Sequence, residues 1–283
     1  MTPADIDRLC ESSASKLQAL KDRLRSFDSV LVAFSGGVDS TFVLKVAHEV
    51  LGERCVALTA MSPSVAERER KDATELAARI GARHLLVDSH ELNDPNYAKN
   101  PTNRCYFCKS ELYTLCDAKK AELGVAAVVD GFNADDKRDY RPGHKAASEH
   151  AVVSPLAEAG LTKDEIRAWS HRYGLPTWDK PPMPCLASRL PYGTAVTVER
   201  LTQIGTAEQD LWSLGFRNFR VRYHGDIARI ELTPEELPRF MDAEVREKAC
   251  AAIKKRGFKF VTVDLEPFRS GRLNEAAGIV ARS

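Results

Sequence analysis

No stretch of this 283-residue chain approaches the roughly 18 consecutive apolar residues that a membrane-spanning helix needs, so no membrane partner is expected. Charge of one sign is equally scarce. The 41 Lys and Arg stand against 40 Asp and Glu, a net +1 that supplies no broad field for nucleic acid. Residues 1–27 are charged and amphipathic and lack the apolar centre of a secretion signal. Internal repeats and low-complexity tracts are missing as well. The expected setting is the cytoplasm, where thiols stay reduced, so the seven cysteines are not read as a disulfide framework. What is present, 43% apolar and 29% charged residues, is the balance of a globular chain long enough for two domains.

Apolar, β-prone runs at 30–34, 55–59, 84–87 and 125–130 alternate with helical patterns at 39–50, 65–80 and 105–123. That alternation predicts βαβ units and an α/β fold with a parallel, twisted sheet. A short fifth strand is expected at 152–153. Helices are expected at 5–25, with Ile6, Leu9, Leu17, Leu20 and Leu24 on one stripe, and at 162–173, where Thr162 and Glu165 have capping-box spacing. Pro176, Pro181, Pro182, Pro184 and Pro191 crowd one stretch and mark a boundary. Beyond it, helix 199–214, strands 219–223 and 228–232, helix 237–256 and strand 260–264 predict a smaller α+β domain. The expected division is 1–190 and 191–283.

The most informative motif is Ser35-Gly36-Gly37-Val38-Asp39-Ser40, between the first strand and the first helix of the sheet. A helix N-terminus offers unpaired N–H groups and the positive end of its dipole to an anion. Gly36 and Gly37 let the backbone approach closely, and Ser35 and Ser40 add hydroxyls. Asp39 would repel a phosphate unless Mg²⁺ sat between them. No lysine follows the glycines, so this is not the P-loop with lysine before Ser/Thr. It resembles the pyrophosphate loop, SGGxDS, of the N-type ATP pyrophosphatases, which implies ATP held by its β- and γ-phosphates and attacked at the α-phosphate.

In open parallel sheets ligands bind beyond the carboxyl ends of the strands, where residues 35, 59–62, 88 and 130–136 should meet. Gly131 permits a sharp turn, and Asp130, Asn133, Asp135 and Asp136 crowd around it, a group that a Mg²⁺–phosphate pair would satisfy. The resemblance to the N-type ATP pyrophosphatases implies that the backbone at 61–64 meets an adenine edge; a plain loop is the alternative. Lys163, in the first turn of its helix, conflicts with the dipole unless an anion lies near.

Cys105-Tyr106-Phe107-Cys108 opens a helix, where both thiols should face one side with lowered pKa values. This suits a redox pair, zinc or an iron–sulfur cluster. Cys185 is the best third ligand, with Pro184 before it and Arg189 four residues on to favour the thiolate. Three thiolates point to a [4Fe–4S] cluster with one open iron, whereas a closed zinc site would need His84, His90 or His144. Cys10, Cys55, Cys116 and Cys250 read as packing residues. Alternation puts Arg220, Arg222 and His224 on one strand face, either an anion-docking surface or a solvated edge.

Taken together, the loop, "RCYFCK", "DGFNADD", "SPLAEAGLTKDEIR", "YGLPTWDKPPMPCLASRLPYG" and "RVRYHGDIARIEL" resemble the LarE family. These are ATP-dependent sulfurtransferases that act on pyridinium-3,5-biscarboxylic acid mononucleotide in nickel-pincer nucleotide assembly. The resemblance implies ATP binding by residues 35–40, Ala60, Gly131 and Lys163, and Mg²⁺ on Asp39 and Asp135. It implies that Cys185, with Asp39 and Arg189, carries the chemistry. Sulfur would come from a [4Fe–4S] cluster on Cys105, Cys108 and Cys185, or from Cys185 itself. Ser188, Arg189, Glu199, Arg222 and Glu231 would face the nucleotide substrate, and a hexamer is expected. The rival readings are another pyrophosphate-loop ligase, such as an amidotransferase-type synthetase or a tRNA thiolase, and a nucleotide-sensing or sulfur-carrier module.

Overall fold

A computed structural model describes residues 1–138, 142–269 and 271–279. Residues 139–141, in the chain after the strand expected at 125–130, and Ser270 lie outside these residues. Strands β1 (Val30–Ala33), β2 (Cys55–Met61), β3 (Arg83–Asp88) and β4 (Ala127–Val129) form one parallel sheet in the order β3-β2-β1-β4. The chain therefore steps outward from β1 to β3 and then returns to the far side of β1. The reversal makes β1/β4 the switch point, with its crevice beyond their carboxyl ends. Every residue of β1 and β4 is buried, as expected of strands covered by helices on both faces.

One side of the sheet packs on the helices Ala14–Arg25, Val38–Leu51, Glu67–Ile80 and Lys163–Arg172, through a core that includes Leu20, Leu24, Phe42, Leu44 and Ile166. The other side packs on the helix Arg104–Leu123 through Tyr113 and Cys116. Each fully buried Leu or Phe contributes about 1.5–3 kcal/mol, and loop positions along the sheet edge inherit that rigidity.

Three expected elements differ. The stripe at 5–25 forms two helices, Pro3–Ser12 and Ala14–Arg25. Buried Ser13 donates its hydroxyl to the Leu9 carbonyl and accepts Trp169 Nε1–H at 2.9 Å, and this breaks the run. The strand at 152–153 is a single bridge between Val129 and Val153. The helix at 237–256 is interrupted at Asp242, whose carboxylate caps Glu244 and Val245 and opens a new helix, Ala243–Lys255. The capping box at Thr162 and Glu165 is present as expected.

The second sheet holds β5 (Phe219–His224), β6 (Ile227–Leu232) and β7 (Phe260–Val263), with β5 antiparallel and β7 parallel to β6. It has its own core around Phe216, Ile230, Phe240 and Phe258. Residue 190 falls within a further cluster that joins Tyr97, Leu186 and Leu190 to Val196, Leu201 and Ile204. The two sheets are also bridged by Trp212, whose ring lies 3.4 Å from the Arg68 guanidinium carbon on one sheet's helix and 4.0 Å from that of Arg217.

Candidate functional site

The loop after β1 ends at Gly37, which caps the helix Val38–Leu51 without any side-chain acceptor. The first-turn N–H groups are thus left for a ligand. Gly36 has φ +70°, and a Cβ there would lie 3.1 Å from the Ala73 backbone, so the position needs glycine twice over. The Ser35 and Ser40 hydroxyls close on each other at 3.1 Å. Ala60 lies at the carboxyl end of neighbouring β2.

The turn after β4 abuts this loop: a Cβ on Gly131 would come within 2.8 Å of Ser40 N. Asp130 is a structural member of the turn. It is buried and accepts from Phe132 N–H, Ser154 Oγ and Tyr113 Oη. Asn133 donates to Asp39 at 3.3 Å, and Asp135 accepts the Lys163 backbone N–H at 2.7 Å. The Lys163 ammonium lies 2.5 Å from Asp39, the anion that resolves its conflict with the helix dipole. Asp39, Ser40, Gly131, Asp135 and Lys163, distant in sequence, are therefore neighbours. Asp39 meets the Lys163 ammonium and Asp135 its backbone N–H, and carboxylate oxygens of this kind are the ligands a hard cation such as Mg²⁺ takes.

Lys180 was not singled out from the sequence, although it sits within the "YGLPTWDKPPMPCLASRLPYG" segment. Its ammonium reaches to 3.4 Å from the Gly36 carbonyl and 3.2 Å from Asp72. Arg167 fixes this segment by donating to the Trp178 and Lys180 carbonyls at 2.6 and 2.9 Å.

Cys185 continues the same segment. The next N–H, of Leu186, donates to the Ser64 carbonyl at 2.7 Å, which ties the cysteine to the chain leaving β2. Ser64 also shares a 2.6 Å hydrogen bond with the buried Tyr97 hydroxyl. Cys185 and Cys108 are half-buried and pack on one apolar cluster, while Cys105 is exposed at the start of its helix. The expectation that the helix start lowers both Cys105 and Cys108 is corrected. Burial pushes Cys108 up to about 12, assisted by the neighbouring Cys185 and Glu91. Although Cys105 presents surface to solvent, the protein packed behind its sulfur raises it too, followed by Cys185.

Arg189 has its guanidinium bidentate on Glu208 at 2.8 and 2.9 Å. It also donates to the Pro184 carbonyl at 2.7 Å and to Ser188 Oγ at 2.9 Å. It thus rivets the 184–189 loop to the helix Val198–Ser213. A cation that reaches the sulfur is Arg104, whose Nη2 lies 3.9 Å from Cys185 Sγ. Neither Glu208 nor Arg104 was found from the sequence. The one available signal was the Arg immediately before the Cys-x-x-Cys.

The charged face of β5 divides: His224 is exposed at the end of the strand, whereas the two arginines face neither solvent nor an open surface. Arg220 and Arg222 are buried, and they donate to the Pro182 and Ser188 carbonyls at 2.9 and 2.8 Å. Arg222 also grips Glu231 through two bonds of 2.8 and 2.9 Å. Arg229 and Arg272 approach the other oxygen of Glu231 at 3.2 and 3.5 Å. Glu199 stands apart, exposed in the first turn of its helix, where its own N–H and the Thr197 hydroxyl hold its carboxyl below the usual range. Glu231 is fully buried, so Glu231→Gln leaves three guanidiniums facing a neutral group. We expect it to lower stability by about 3–5 kcal/mol in urea unfolding. An unchanged midpoint would show that the arginines are balanced elsewhere.

Among the described residues, no three His, Cys, Asp or Glu side chains converge as a metal site. His84 bonds Thr59 at 2.8 Å, and His144 stacks on Phe132. No described helix is long and apolar enough to cross a membrane.

A parallel sheet with this glycine loop after β1 defines an ATP-using enzyme of the pyrophosphate-loop class, and residues 17–106 match the asparagine synthase family model. Pyridinium-3,5-bisthiocarboxylic acid mononucleotide synthase of Lactiplantibacillus plantarum is 40% identical over 94% of this chain and 95% of its own. The chain belongs to that family, LarE, and is an adenylating, ATP-dependent sulfurtransferase. An uncharacterized protein of Synechocystis, slr1717, is 48% identical over 92% of this chain and 97% of its own. The tRNA-specific 2-thiouridylase MnmA of Pelobacter propionicus is 31% identical over only 53% of this chain and 51% of its own.

Proposed function

We propose that this enzyme adenylates a carboxylate of a pyridinium mononucleotide and then exchanges AMP for sulfur, giving a thiocarboxylate for a nickel-pincer nucleotide. One carboxylate oxygen attacks the α-phosphorus of ATP. The bond to the β-phosphate oxygen breaks, and pyrophosphate leaves. Sulfur then attacks the acyl carbon and AMP departs with the electron pair. Adenylation turns a poor leaving group into a good one.

The observation that carries this reading is the bond from Leu186 N–H to the Ser64 carbonyl, which holds Cys185 to the sheet edge bearing the glycine loop. In the proposed assignment, residues 1–190 perform the ATP chemistry and residues 191–283 position the sulfur segment. The free N–H groups at 38–40, with Lys163, receive the phosphates. Lys163 exchanges Asp39 for phosphate, and Asp39 and Asp135 would hold Mg²⁺. Ser188, Arg189, Arg222 and Glu231 shape the substrate side.

Cys105, Cys108 and Cys185 are soft ligands, and to hold a [4Fe–4S] cluster they would have to close on one another from the positions described above, where, among the described residues, no three such side chains converge. That cluster, when bound, supplies an iron able to carry exchangeable sulfide. Seven free cysteines fit a cytoplasmic enzyme, and a homo-hexamer is the proposed assembly.

The test uses ATP labelled at the α-phosphate, with pyridinium-3,5-biscarboxylic acid mononucleotide and sulfide. The expected products are AMP and pyrophosphate in equal amounts. Labelled ADP with orthophosphate would overturn the reading.

A further inference from the structure

Lys180 stands where three pieces of the site meet. Its ammonium lies 3.4 Å from the Gly36 carbonyl in the glycine loop, and 3.2 Å from Asp72 and 3.7 Å from Glu69 on the helix Glu67–Ile80. That helix also backs the loop, because Ala73 is what a Cβ on Gly36 would meet. All three contacts are long beside the roughly 2.7–2.9 Å of a good ammonium–carboxylate bond. Yet Glu69 Oε1 is buried and has no hydrogen bond among the described residues. Arg68 approaches Glu69 only to 3.8 Å, its guanidinium being stacked on the Trp212 ring. A lysine that served charge balance alone would close on that bare oxygen. Lys180 is instead held toward a main-chain carbonyl of the glycine loop.

The chain from Lys180 to Cys185 reads Lys-Pro-Pro-Met-Pro-Cys, so each residue from 180 to 184 is a proline or precedes one. Proline fixes φ near −65°, and the residue before it is kept extended. Cys185 continues in the same way, with φ −54° and ψ 154°. The piece is a stiff spacer with little slack. Arg220 grips it at the Pro182 carbonyl, at 2.9 Å, and Arg189 at the Pro184 carbonyl, at 2.7 Å. Lys180 holds its other end against the glycine loop.

We propose that Lys180 is a positioning residue for sulfur transfer: through the proline spacer it sets the Cys185 segment against the glycine loop, so that filling the loop with nucleotide fixes the sulfur in place. Polyphosphate on the loop N–H groups adds negative charge near Gly36 and holds the ammonium there, against the pull of Glu69. With that end of the spacer fixed, the acyl adenylate meets sulfur before it meets water. The inference deepens the proposed function, on which it rests for the identity of the transfer step.

Two measurements on the full-length chain test it. In the first, amide hydrogen exchange is followed by mass spectrometry with and without α,β-methylene-ATP and Mg²⁺. The peptide 181–190 carries the Leu186, Ser188 and Leu190 amides, bonded to the Ser64, Cys185 and Ala187 carbonyls. Nucleotide should slow their exchange by about tenfold. In Lys180→Met that slowing should vanish, although saturating nucleotide still protects the peptide 35–44, and in Lys180→Arg it should return. In the second, thiocarboxylate formed per AMP should fall about tenfold or more in Lys180→Met and recover in Lys180→Arg. The missing product is acyl adenylate lost to water, which attacks the acyl carbon and gives back carboxylate and AMP. A role confined to folding would lower both products together and leave their quotient unmoved. The proposal is overturned if nucleotide leaves exchange at 181–190 unchanged in the unmutated chain, a result that requires no variant to fold. It is overturned equally if Lys180→Met keeps the slowing, which would mean that nucleotide shields the segment directly, or keeps the quotient. Labelled ADP in the ATP test beside nucleotide-dependent exchange would sink the sulfurtransfer reading and leave the link through Lys180 standing.

Discussion

Cys185→Ala should abolish thiocarboxylate formation, by on the order of 10⁴-fold, while AMP and pyrophosphate still form within about threefold of the unmutated rate. The two halves of the reaction separate because they use different parts of the site. The groups proposed to receive the ATP phosphates, Ser40, Asp39 and Lys163, make no bond to the Cys185 side chain among the described contacts. Removing one sulfur atom leaves the Ser64–Leu186 backbone bond and the Arg189 rivet in place. The measurement is a pair of product assays on one sample, AMP by chromatography and thiocarboxylate by mass. Full sulfur transfer in the variant would remove Cys185 from the chemistry. Loss of AMP formation as well would mean that the cysteine serves the ATP site. In the unmutated protein the Cys185 mass should be unchanged after several turnovers if sulfide comes from a cluster. A deficit of one hydrogen sulfide there would assign the sulfur to the cysteine itself.

The two halves were also unequally visible in the sequence. The glycine loop was legible because its determinants are local: a buried strand, two glycines and a helix start lie within about a dozen residues, and each follows from backbone sterics and unpaired N–H groups. The alternation of strands and helices gave the parallel sheet for the same reason. The breaks at Ser13 and Asp242 were hidden, because a continuous apolar stripe does not show that a hydroxyl will bond a tryptophan 156 residues away, or that a carboxylate will turn back to cap a new helix. The sulfur side was legible only as a set of residues. That Arg104 meets Cys185 across 81 positions, and that Arg189 meets Glu208, are consequences of tertiary packing with no periodicity to announce them. The pKa expectation for Cys105 and Cys108 had the wrong sign because the dipole of a helix start is a surface-scale effect of about 0.3–1 kcal/mol, and burial of a thiolate outweighs it.

Gly131→Ala should cut ATP-dependent pyrophosphate release by on the order of 10²-fold. Gly131 does not have the left-handed φ that would demand glycine, so space alone decides the outcome. The new methyl carbon would lie 2.8 Å from Ser40 N, 3.1 Å from Ser40 Cα and 3.2 Å from the Asp39 carbonyl carbon. All three are backbone atoms of the first turn of the helix Val38–Leu51, which cannot swing aside as a side chain can. The turn must move away from β4, and with it go the N–H donors proposed to receive phosphate and the Asp39 carboxylate shared with Lys163. Overpacking of this kind also costs about 1–3 kcal/mol of stability, too little to unfold a domain of this size at room temperature. Gly143→Ala is the matched control: its methyl would also come within 2.8 Å of an atom, but that atom is Lys109 Cγ on a flexible side chain. Pyrophosphate release at saturating and limiting ATP, beside a thermal melt, reads the comparison. Should Gly131→Ala turn over like Gly143→Ala, the close approach of the β4 turn to the glycine loop is not what aligns the nucleotide. The switch-point crevice would then be the wrong place to look for ATP.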